Sequence, residues 1–155
     1  MKFLKRNPIK YAFILCAILV VCLLTMEITG QNETFADKSP LFLVYQFIAP
    51  AVIWYLGMNE KKKMLQGKLS YKQAFYEGFK ISVVFGLISP FIFAAYYLFI
   101  NPNILNGYVR ETYKMYETPV GIVIAVDMLI QFISALIFGT LYSAIIALFV
   151  RTKSK

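Results

Sequence analysis

The chain contains no histidine. That absence removes the commonest metal and haem ligand, a frequent general base, and the side chain that ordinarily titrates near neutral pH. Cysteine is scarce: Cys16 and Cys22 stand six residues apart in one apolar run, outside any CxxC spacing. They read as small core residues rather than a redox pair. Charged residues make up only 15% of the chain. Paired carboxylates, Ser/His or Cys/His sets and glycine-rich phosphate loops are all missing. The expectation is therefore a protein that is not an enzyme, with no catalytic residue, no metal ligand and no cofactor.

What is present is apolar length. Hydrophobic residues account for 59% of the 155, and the mean hydropathy is +0.64. A soluble domain is nearer about 45–50% apolar and about 25% charged. The apolar residues fall in blocks close to the ~20 residues needed to cross a bilayer. The fold class expected is all-α: an integral membrane four-helix bundle with an additional amphipathic interfacial helix, forming one domain over 1–155. Spans are placed at approximately 8–29, 41–58, 74–100 and 120–150, and the interfacial helix at 103–117.

Local signals set these bounds. Asn7-Pro8, Ser39-Pro40 and Thr118-Pro119 each pair a capping side chain with proline at the first helical position. The first apolar run is long and is followed by TMEITGQ, which offers no A-x-A cleavage site, so it is expected to stay as a permanent helix. Asn32-Glu33-Thr34 matches a glycosylation acceptor and is taken as incidental. Pro50 should kink the second span near Gln46 by removing a backbone donor. Trp54 with Tyr55, and Tyr96 with Tyr97, suit headgroup interfaces. Ser70 and Gln73 form a capping box that starts the third span, in whose first turns Glu77 could pair with Lys80. Asn101-Pro102 ends that span and caps the next element. From 103 to 117, Ile104, Leu105, Tyr108, Val109, Met115 and Tyr116 share one face, with Asn106, Arg110, Glu111, Lys114 and Glu117 on the other. The last run, Val120 to Val150, is about 46 Å long at 1.5 Å per residue and must tilt or protrude.

Charge orients the bundle. The net charge is +8, but the cations sit beside apolar spans, so topology explains them and no nucleic-acid partner is expected. Lys61, Lys62 and Lys63 are read as a cytoplasmic anchor. With four spans, only Lys38, Arg110 and Lys114 face the side opposite the termini, and the other thirteen of the sixteen Lys and Arg share the termini's side. The positive-inside bias then puts both termini in the cytoplasm.

Two rows of small residues recur at every fourth position. Gly78, Ser82, Gly86, Pro90 and Ala94 mark the third span, and Ala135, Gly139, Ser143 and Ala147 mark the last. Such rows let helices approach closely in lipid, so these two spans are expected to pack on each other, a homodimer through one row being the alternative. Asp127 and Gln131 begin the second row, one turn apart. An ionisable group in a span is costly and often functional. Two readings stand open: a structural contact near the outer interface with Arg110, Lys114 or a tyrosine, and an ion, proton or substrate site. An inward Asp127 beside a cavity favours the second.

The basic start into KYAFILCAILVV, the SYKQAFYEGFKIS stretch, FINPN closing the third span and TPVGI opening the last resemble an uncharacterised family of small bacterial four-helix membrane proteins, known as a domain of unknown function. The resemblance implies a multi-pass protein of the bacterial cytoplasmic membrane and supplies no site residue. Function is expected to be non-enzymatic, accessory or structural. The alternative is an oligomeric small-solute or ion transporter or channel with a polar site near Asp127 and Gln131. The partners expected are the lipid bilayer and either further copies of the chain or another membrane protein.

Overall fold

The computed structural model describes residues 7–30 and 43–152, and of Tyr108 the backbone alone. Lys2, Lys5, Arg6, the loop with Asn32 and Lys38, the Ser39-Pro40 start, Lys153 and Lys155 lie outside the described residues. The protein is an all-α, membrane-type bundle: α1 (Asn7–Ile28), α2 (Ala49–Met64), α3 (Tyr71–Phe99), two short helices α4 (Pro102–Ile104) and α5 (Arg110–Tyr113), and α6 (Val120–Val150). Among the described residues three helices, α1, α3 and α6, are long and apolar enough to cross a membrane. α2 is shorter and ends on Lys61, Lys62 and Lys63.

The third helix is the hub, packing on α1 and on α2, and most extensively on α6. The α3–α6 seam is made of the small residues. A Cβ on Gly78 would collide with Ser143, one on Gly139 with Ser82, and one on Gly86 would stand 3.2 Å from the Ala135 methyl. These partners descend one helix as they climb the other, four residues at a step, so the helices are antiparallel. Continuing that register sets Pro90 opposite Gln131 and Ala94 opposite Asp127. Pro90 and Ala94 are both buried, as is Ala147 at the other end of the row. Dispersion between closely apposed backbones is the main attraction open to apolar helices in lipid. The outward face of α6, with Ile122, Leu129, Ile133, Ile137 and Leu141, is exposed as a lipid-facing surface would be.

The backbone groups freed at Pro50 and at the end of α6 find partners, as a low-dielectric setting favours. Pro50 cannot donate to the Gln46 carbonyl, and the chain widens into a π-turn over Val44–Ile48. The Tyr142 hydroxyl is shared between the freed Gln46 carbonyl at 3.4 Å and the Phe47 carbonyl at 3.2 Å. The Ser70–Gln73 capping box is present in full. At the end of α6, Lys62 Nζ donates to the Val150 carbonyl at 2.9 Å, a cation on the negative end of a helix. The following residue but one, Thr152, exchanges hydrogen bonds with Leu69, donating its N–H at 2.8 Å and accepting through Oγ1 at 2.9 Å.

Several local expectations give way to tertiary contacts. Helix α2 continues through Lys61–Lys63 to Met64, because lysines are favourable in a last turn; the loop is confined to the residues after it. Asn7 does not cap α1: its Nδ2 donates to the Gly57 carbonyl at 2.7 Å and to Glu77 Oε1 at 3.1 Å. Glu77 is consequently buried, and the only salt bridge among the described residues joins Lys10 to Glu60 instead of Glu77 to Lys80. Trp54, Tyr96 and Tyr97 face the interior, each at most 3% exposed, rather than the headgroups. Each finds a protein partner for its polar tip: Trp54 donates to Ser143, Tyr96 donates to Glu27, and the Tyr97 hydroxyl lies within reach of the Gln131 amide. Thr118 leaves α6 uncapped by any side chain. The amphipathic stretch is helical only from Pro102 to Tyr113, with a π-turn over Leu105–Val109, and stops where Lys114 turns left-handed at φ 55°.

Candidate functional site

Asp127 lies two turns into α6 and is 5% exposed. Its side chain faces the bundle. The Tyr113 hydroxyl donates to Oδ1 at 2.9 Å, and Gln131 Nε2 donates to Oδ2 at 2.8 Å. Gln131 Nε2 also lies 3.4 Å from the Tyr97 hydroxyl, carrying the network across to α3. The (i, i+4) spacing sets Asp127 and Gln131 on one face, which is why the amide reaches the carboxyl. Tyr113 arrives from α5, held by the turn that follows it. Arg110 Nη1 donates to the carbonyls of Met115, Tyr116 and Thr118 at 2.8–3.0 Å and so folds this turn back over α6. Arg110 is thus spent on backbone and does not reach Asp127; a tyrosine does.

The network forms one wall of a cavity of about 430 Å³ between the π-turn, α2, α3 and α6. Asp127, Gln131, Ser89 and Ser134 are its polar groups nearest the seam, and Phe85, Phe93, Tyr97, Trp54 and Phe138 supply aromatic walls. Gly139 and Ala135 of the packing row also line this space. The far side is closed by Trp54, whose Nε1 donates to Ser143 Oγ at 3.0 Å, while Ser143 Oγ in turn donates to the Gly139 carbonyl at 2.6 Å. One serine of the packing row therefore also fixes the cavity's indole wall.

Two other polar nodes hold the helix ends. At the C-terminal end of α1, Glu27 accepts from the Tyr96 hydroxyl at 2.7 Å and from Asn101 Nδ2 at 2.9 Å. At the opposite end lie Asn7, Gly57 and Glu77, where Asn7 Oδ1 is buried without a partner. Close by, Glu60 accepts from Lys10 at 2.8 Å and from the Tyr11 hydroxyl at 2.6 Å. These bonds, that of Lys10 foremost, lower the Glu60 pKa below the ordinary carboxylate value. Among the described residues no three His, Cys, Asp or Glu side chains converge as a metal site would require.

Asp127 and Gln131 were legible as candidates because a polar pair stands out in an apolar run. Tyr97, Tyr113 and Trp54 were not, since aromatic residues near span ends carry the same signal whether they face headgroups or the interior. The spacing of Tyr113 from Asp127 has no helical period, because a turn intervenes.

The fold and this wall define the protein as an α-helical membrane protein with a polar network set inside its bundle. Residues 10–152 match the model of a family described as a protein of unknown function (DUF4199), and the chain belongs to that family. No curated protein and no solved structure matches it.

Proposed function

We propose that the chain is a small-solute binding protein of the transporter or channel class, with its site in the Asp127–Gln131 cavity. One observation carries this reading over an accessory or structural role: the carboxyl is turned inward onto a cavity of about 430 Å³ instead of outward to headgroups. That volume lies within the range of ligand pockets, about 300–1,000 Å³. A purely structural acid would be enclosed by packing. The cavity brings together one acid and no nucleophile–base pair, which supports a binding role and not catalysis.

The setting proposed is the bacterial cytoplasmic membrane, with four spans and both termini in the cytoplasm. It is supported by the distribution of Lys and Arg and by the run Lys61–Lys63 closing α2. Reporter fusions at positions 35 and 112 should report the outer side, and cytoplasmic signals at both would overturn this topology. For the site, purification in lipid with native mass measurement should give a protein carrying a bound solute, together with its oligomeric state. Asp127→Asn should lose that solute while keeping the assembly. A wild-type protein without any bound mass, unchanged by a panel of added small solutes, would sink the binding reading.

A further inference from the structure

The cavity's chemistry narrows what it can hold. Asp127 is 5% exposed, and both its oxygens accept from neutral donors, the Tyr113 hydroxyl and the Gln131 amide. Among the described residues no lysine or arginine pairs with it, the single salt bridge being Lys10–Glu60. Hydrogen bonds of this kind orient a carboxylate without neutralising it, and a buried acid without a counter-charge is costly in a membrane. Nine of the lining residues carry aromatic rings. Phe93 and Tyr97 stand 6.2 Å apart between centroids on the α3 side, and Trp54 and Tyr142 stand 6.1 Å apart on the other. Ring faces attract cations, most strongly where water is excluded.

We propose that this cavity receives a monovalent organic cation with an apolar, ring-bearing body, its charge at Asp127 and its body between the aromatic walls. The inference rests on the solute-binding reading above and adds the substrate class. One acid calls for one positive charge. A bare metal ion would need a shell of several free oxygen ligands, whereas both Asp127 oxygens are already engaged by the Tyr113 hydroxyl and the Gln131 amide. An anion would meet no positive side chain among the lining residues. The rim carries Phe47, Phe138 and Ile130, exposed by 52%, 50% and 38%. An apolar rim admits an amphiphilic cation from the hydrocarbon side, where a strongly hydrated one would be excluded.

Trp54 is the chain's single tryptophan and lines the cavity, so its emission reports occupancy. The full chain in lipid nanodiscs is titrated with tetraphenylphosphonium and, separately, with tetraphenylborate, which has the same shape and the opposite charge. Saturable quenching by the cation and none by the anion is the expected result. Asp127→Asn should weaken the cation by about thirtyfold, and Phe138→Leu by about threefold. If Asp127→Asn does not fold, the contrast between the two ions and the Phe138→Leu shift decide. Equal saturable binding of both ions, or cation binding indifferent to both substitutions, overturns the proposal. If neither ion binds but native mass measurement finds another solute whose binding needs Asp127, the cation class is wrong and the solute-binding reading survives. If no solute is found at all, both fall.

Discussion

At the scale of single residues, polar groups in this bundle are placed where an apolar surrounding makes each hydrogen bond matter. Ser143 accepts from Trp54 and donates to Gly139, and Tyr142 supplies the donor that Pro50 cannot. Glu60 is the residue where protonation has a clear sign. Its folded pKa lies below its ordinary value of 4.5, because Lys10 and Tyr11 donate to the ionised form. Its contribution to stability is therefore present at neutral pH and is lost as pH falls from 4.5 through the lower folded value. Glu60→Gln should lower stability by about 0.5 kcal/mol at pH 7, as expected of a partly exposed pair. Unfolding followed by circular dichroism in detergent should show the difference between the two proteins shrinking as pH falls below 4.5. A difference that persists unchanged there would mean the pair's charge is irrelevant.

At the scale of elements, the α3–α6 seam depends on residues too small to separate the backbones. A Cβ at Gly139 meets the Cβ and Oγ of Ser82, which sit close to the backbone and cannot swing away. At Gly86 the nearest atoms are the Ala135 methyl at 3.2 Å and a Phe132 ring carbon at 3.3 Å, and the ring can yield. Gly139→Ala should therefore cost about 1–3 kcal/mol, as overpacking does, and Gly86→Ala clearly less. Thermal unfolding in one detergent ranks the two. Equal or reversed effects would show that the seam does not close as described. Gly78 belongs with Gly139 in this ranking, since a Cβ there strikes Ser143 and the end of Met58.

At the scale of the whole molecule, the helix ends are tied in two layers. Glu27 joins α1 to the end of α3 and to Asn101 on one side, while Lys62 and Thr152 fasten the end of α6 to α2 and to the loop before α3 on the other. Between these layers lies the cavity, beside the close-packed α3–α6 seam. Ending the chain after Val150 would remove both bonds between Thr152 and Leu69, which should cost about 1–2 kcal/mol. Hydrogen exchange would rise first in residues 65–70. An unaltered exchange pattern would show that the tail is not a fastening.

The all-α, membrane-type class follows from the sequence alone, because hydropathy and helical period are properties of consecutive residues. So do the capping box at Ser70, a helix disturbed near Gln46 by Pro50 and the two rows of small residues, each a short-range pattern. The inward turn of Trp54, Tyr96 and Tyr97, the capture of Glu77 by Asn7 and the pairing of Asp127 with Tyr113 were decided only by the tertiary structure. An aromatic or acidic side chain near a span's end has two ways to satisfy its polar atom, in the headgroup layer or on a neighbouring helix. The choice depends on which helix arrives and at what height, and no period within one helix carries that information. Asp127 could be singled out from its neighbours in the chain; that it borders a cavity depended on the register of α3 against α6.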